Sequence, residues 1–143
     1  MSYQYIPKSK TSDLELWDSY LARIADDWIN YFSSPEDVRD IDENLFNPWG
    51  LVNKLVHVDG NWAWNLIEII LERDKEGKSL DILAAGPLED LIVIGGDDCI
   101  EATEAWARAD ERFRRLLAGV WQSDTKRDVW ERIVAARGNA MPF

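Results

Sequence analysis
The chain has 143 residues, is 46% hydrophobic, and carries 27 acidic against 16 basic side chains for a formal net charge of −11. That length and apolar content suit one folded domain rather than a disordered segment, and a single cysteine, Cys99, excludes an internal disulfide. A negative field of this size repels phosphate backbones, which argues against direct nucleic-acid binding and for a basic protein partner.

The charge is unevenly placed. Residues 1–50 hold ten acids against four bases, residues 51–96 eight against four, and residues 97–143 nine against eight. Solubility alone accounts for such an excess, and steering of a basic partner is the functional alternative. No run of about 18 uncharged apolar residues occurs, and the first ten residues lack a signal peptide's apolar centre. The expectation is a cytoplasmic protein with no membrane partner.

Residues 1–10 show no periodicity and read as a flexible arm, leaving residues 11–143 as a single α-helical domain. Ser12 and Glu15 have the spacing of a capping box, and Trp17, Tyr20, Leu21, Ile24, Trp28, Tyr31 and Phe32 recur at three and four. Ser33, Ser34 and Pro35 stop that helix. In the acidic stretch Glu36 to Asn44, the spacing of Val38, Ile41 and Leu45 predicts a core-facing side and leaves Asp37, Asp40, Asp42 and Glu43 in solvent.

Asn47-Pro48 opens the next helix, with Leu51, Val52, Leu55 and Val56 inward and Asp59-Gly60 as its stop. Trp62, Leu66, Ile69 and Ile70, widened by Trp64, Ile67 and Leu71, predict a central helix apolar almost all round, closed by Gly77. Ser79 is placed to cap a helix over 80–85 that Gly86 ends, and Pro87 to begin another that runs to Gly95-Gly96. Asp97 or Asp98 is expected to cap the helix bearing Ile100, Thr103, Trp106 and Ala107, with Glu104 and Arg108 paired four apart. Asp110 caps a helix with Phe113, Leu116, Leu117 and Val120 inward. The last helix spans about 125–137, with Val129, Trp130, Ile133 and Val134 on one face and Gly138 after it. Only 91–94 could pass for a strand, and the Gly-Pro-Leu-Glu-Asp before it favours a buried helix end. The fold class is all-α: stacked short antiparallel helices, either HEAT- or armadillo-like or a compact irregular bundle.

The order Leu83-Ala84-Ala85-Gly86-Pro87-Leu88-Glu89-Asp90-Leu91, Gly96-Asp97, Glu101, Phe113-Arg114-Arg115-Leu116-Leu117 and Val120-Trp121 resembles an uncharacterised bacterial family, domain of unknown function 6869, over residues 60–135. The resemblance implies a small helical bacterial protein and carries over no catalytic residue. Such sequences often show a histidine near Val93 and Ile94, which this chain lacks, and that speaks against histidine-dependent chemistry.

The residues themselves offer little chemistry. His57 is the one imidazole, so a two-histidine metal site is excluded and a Ser-His-Asp triad has a single candidate base. Cys99 stands among acids and reads as an inert thiol. Gly95-Gly96 precedes two aspartates that would repel a phosphate. Asp97, Glu101 and Glu104 share a helical face, and Glu68 with Glu72 repeats the spacing, which suits either a solvated surface or a carboxylate or metal site.

The expectation is therefore a non-enzymatic interaction protein without cofactor or metal, of the inhibitor or immunity kind, blocking a basic partner through its acidic face. Asp37, Asp40, Asp42 and Glu43 are the candidate contacts, with Trp49 and Trp64 as anchors among the eight tryptophans. The alternative is a metal- or carboxylate-dependent enzyme built on Glu68, Glu72, Asp97 and Glu101.

Overall fold
Leu21, Ile24, Ala25 and Trp28 lie one above another on a helical face, and together they form the buried side of helix α1, Leu14–Phe32. A computed structural model of the chain describes residues 14–143, with side chains described from Asp18 onward. The expected arm over 1–10, the Ser12 cap and the Trp17 side chain lie outside the described residues. Throughout those residues the regular structure is helical. The stretch 91–94 belongs to a helix, as the sequence indicates.

The chain divides after Ser79 into two compact units. In the first, α1 packs on α4 (Gly60–Arg73), and α4 also packs on α3 (Trp49–Val58). Trp62, Ala63, Leu66, Ile67, Ile70 and Leu71 of α4 are all buried, so the helix that reads as apolar almost all round is covered on two sides. Asp59 serves twice: it is the C-cap of α3, and its Oδ1 accepts the Trp62 amide at 3.4 Å as the N-cap of α4. Trp28 is fully buried, and its indole Nε1 donates to the Ser79 carbonyl.

The close of α4 differs from the expected glycine stop. Asp74 is its C-cap, and this buried carboxylate accepts the amides of Gly77 and Ser79 and, at 2.6 Å, the Ser79 hydroxyl. Gly77 takes the left-handed turn that permits this, at φ +80°. Ser79 therefore spends its side chain on Asp74 rather than on a helix cap.

In the second unit, α5 (Leu80–Leu83) does not stop at Gly86. It widens into a π-helical turn over Ala84–Leu88 and continues as α6 (Glu89–Gly95). Pro87 thus sits inside helical backbone rather than at a first turn. It has no amide to give the carbonyl four residues back, and a widened turn accommodates that loss. A single 3-10 turn, Gly96–Asp98, leads to α7 (Ile100–Ala109). The N-cap of α7 is Cys99, not Asp97 or Asp98, because that turn places both aspartates ahead of the cap position. Asp110 caps α8 (Glu111–Ala118) as expected, its Oδ1 accepting the amides of Arg112 and Phe113. Helix α9 (Arg127–Arg137) ends at Gly138, at φ +55°.

Helices α7, α8 and α9 pack on one another around Ile100, Ala107, Phe113, Leu116, Leu117, Val129 and Ile133. Val134, expected on that face, is 40% exposed. Trp106 stacks on Phe113 at 3.8 Å with ring planes 6° apart, and its Nε1 donates to Asp110. Glu104 pairs with Arg132 of α9 rather than with Arg108 on its own helix. A guanidinium from a packed helix presents its planar fork to both carboxylate oxygens, which Arg108 on the same rod does not do here.

Candidate functional site
Proline 35 ends α1 and begins a helix too short to dock. Helix α2, Glu36–Arg39, has Pro35 as its N-cap and buries none of its residues. This corrects the expectation for the acidic stretch: Val38 is 39% and Ile41 79% exposed. Four residues give barely one turn, so no continuous stripe forms to pull both aliphatics inward. The segment is pinned by Arg39 instead. Its guanidinium lies over the rings of Tyr31 and Phe32, at 5.7 and 5.4 Å, while its stem is largely covered.

The acids take distinct positions. Asp37 and Glu43 are exposed. Asp40, also exposed, accepts a long contact of 3.5 Å from the Tyr31 hydroxyl. Asp42 is half-buried, and its Oδ1 accepts the Asn44 amide, so it shapes the turn as well as carrying charge.

Trp49 joins this edge through Phe32. Its ring is 41% exposed, stacks on Trp28 at 6.0 Å, and meets Phe32 edge-on at 6.3 Å. The Trp49 amide donates to Asn47 Oδ1, which holds the start of α3. Trp49 is thus an aromatic ring with one side fixed by the core and the other open. Trp64 is half-buried on α4. The sequence reading did not single out Val38 or Ile41 as surface residues, although Ile41 stands between Asp40 and the acids Asp42 and Glu43, where a buried side chain would drag charges with it. Trp121, 74% exposed after α8, was likewise not singled out as a contact residue.

Several of the remaining reactive groups are engaged in structure. His57 is exposed on α3, with Nδ1 2.8 Å from the Asn53 carbonyl of the same helix. Cys99 is half-buried, and burial, seconded by Asp98, pushes its thiol above the ordinary cysteine range. Asp97 is paired with Lys126 at 2.5 Å, and Glu104 with Arg132. Glu68 and Glu72 are exposed on α4, and Glu101 on α7. Among the described residues, no three His, Cys, Asp or Glu side chains gather as a metal-holding group, and no helix is long and apolar enough to cross a membrane.

The chain belongs to the family of unknown function DUF6869, whose model matches residues 37–141. That span begins inside the acidic edge and is wider than the 60–135 over which the resemblance is read from sequence. No curated protein and no solved structure matches the chain.

Proposed function
We propose that this DUF6869 member is a non-catalytic, cytoplasmic interaction module of the inhibitor or immunity kind, and that a basic protein seats on the edge formed by residues 36–43 and Trp49. One observation carries the reading: the edge offers charge and uncovered apolar surface together. Asp37, Asp40 and Glu43 face solvent on the same segment as Ile41 and Val38, and Arg39 links that segment through Phe32 to the partly exposed Trp49. An interface uses the acids to raise the encounter rate and the apolar side chains to slow release. Arg39 and Phe32 tie the edge to the aromatic core, so little ordering entropy is lost when a partner docks.

The test begins with the partner captured from the source cell and purified. Its binding to Asp37→Lys/Asp40→Lys/Glu43→Lys is then compared with binding to Ile41→Ser across salt concentrations. The charge variant is expected to lower the association rate roughly tenfold or more and to flatten the salt dependence, and Ile41→Ser to speed dissociation. A partner that binds both variants as it binds the parent ends the proposal.

A further inference from the structure
The second unit holds a cleft of about 500 Å³ between α8, α9 and the segment that follows α9. Arg114, Arg115 and Arg137 line it with Glu111 and residues 138–141. In a chain with 27 acids, the setting of these three arginines is unusual. Among the described residues none of them makes an ion pair, while the neighbouring Lys126, Arg127 and Arg132 each do. Each is held by a backbone carbonyl instead: Arg114 Nη1 donates to Ala107 at 2.7 Å, Arg115 Nε to Met141 at 3.1 Å, and Arg137 Nη1 to Val120 at 3.2 Å. Two are also backed by rings, Arg115 lying 4.0 Å from the Phe143 centroid and Arg137 5.1 Å from that of Trp130.

This arrangement fixes the guanidiniums without neutralising them. A carbonyl takes one of the five N–H donors and none of the charge, so further in-plane donors remain on each side chain. All three side chains are half-buried, where their attraction for an anion is screened less than it would be in open water. The volume suits a small molecule, and the planar forks match the paired oxygens of phosphate or carboxylate. Glu111, exposed at the rim, is the one acid lining the cleft.

We propose that this cleft is a binding site for a small oxyanionic ligand, a phosphate ester or a polycarboxylate, clasped by Arg114, Arg115 and Arg137. It is independent of the acidic edge, and the two readings stand or fall separately.

The full chain is titrated with inorganic pyrophosphate and, separately, with citrate, by calorimetry and by two-dimensional NMR of the backbone amides. Saturable binding of either probe, with shifts concentrated at Gly138, Asn139, Ala140 and Met141, is the expected result, and the tighter probe assigns the ligand to phosphate or carboxylate. Arg137→Gln is expected to weaken binding at least tenfold. Arg127→Gln, on the same helix but outside the cleft, is expected to leave it unchanged. Should Arg137→Gln not fold, Arg114→Lys, which keeps the charge and loses the fork, serves with an expected severalfold loss. Absence of saturable binding for both probes overturns the proposal, and so does equal weakening by Arg127→Gln, which marks general attraction to positive charge.

Discussion
The two units differ in how many of their acids they leave unpaired at an edge. In the second, acids are used as latches between elements: Asp97 holds Lys126, Glu104 holds Arg132, and Glu89 accepts the Trp121 amide. In the first, Asp26 of α1 likewise holds Arg73 of α4, but most acids of 36–43 are left outward beside the aromatic packing of Trp28, Phe32 and Trp49. The same residue types therefore serve cohesion where a cation or amide faces them and remain free for contact along 36–43. A net charge summed over the chain conceals this difference, because each unit supplies eight cations and it is where they stand that decides which acids are paired.

The largest effect is expected where the first unit relies on its aromatics. Trp28→Ala removes a fully buried ring, its stack with Trp49 and its bond to Ser79, and is expected to cost about 3–5 kcal/mol in denaturant unfolding. Phe113→Ala, the equivalent deletion in the second unit, is expected to cost a similar amount. If Trp28→Ala were tolerated within about 1 kcal/mol, as a surface change would be, the aromatic account of the first unit would fail.

Next comes a test of close approach in the second unit. A Cβ on Gly95 would lie 2.8 Å from both Cβ and Sγ of Cys99, so Gly95→Ala is expected to destabilise by about 1–3 kcal/mol. Cys99→Ala would not relieve it, because the Cβ contact remains. Cys99→Gly removes both atoms and is acceptable at an N-cap, so the double variant should recover much of the loss. Additive losses in that cycle would show that the contact is not the cause.

The same contrast explains what could be read from sequence. Spacing at three and four found the buried faces of α1, α4 and α8, because each of those helices is long enough for a stripe to dock. It misplaced Val38 and Ile41, since spacing says nothing of whether a four-residue helix will bury anything. Asp110 was legible as a cap because its partners are two and three residues away. The Glu104 pairing was not, because Arg132 is distant in sequence while Arg108 stands at the expected local offset. Pro87 favoured a helix start on local grounds, and only the continuing backbone makes it part of a π turn. Of the candidate contacts, the outward acids and Trp49 were legible, and Ile41 was not. The arginine cleft left no trace, since carbonyl acceptors carry no sequence signature.

A smaller loss is expected at the α8 cap. Asp110→Ala removes the acceptor for two amides and for the Trp106 indole, and is expected to cost about 1–2 kcal/mol by thermal or urea unfolding. Asp110→Asn keeps a capping oxygen and should recover most of it. A loss retained in full by the asparagine variant would mean that charge near the helix start, rather than the cap, carries the effect.

The smallest effect falls on the latches themselves, and pH decides its sign. Hydrogen bonds from Arg132 hold the Glu104 carboxyl below the ordinary glutamate range. The pairing therefore stabilises the folded chain fully above the pKa of an unfolded glutamate, and the contribution drains away as pH falls through the depressed folded value. Lys126 is raised by Asp97, so the lysine's share of that latch is present below the ordinary lysine range and is lost as pH rises through the raised value. Both latches are intact at neutral pH, and the rise through the lysine range opens only the one that Lys126 makes. Glu104→Gln is accordingly expected to lower stability modestly at neutral pH and to close on the parent as pH falls below the ordinary glutamate range; paired urea titrations at neutral and strongly acid pH measure the difference. The exposed pair is screened, so added salt should shrink the neutral-pH gap as well. A gap that persists unchanged in strong acid would make Glu104 a packing residue, and the contrast between the latching acids of the second unit and the outward acids of 36–43 would lose one of its supports.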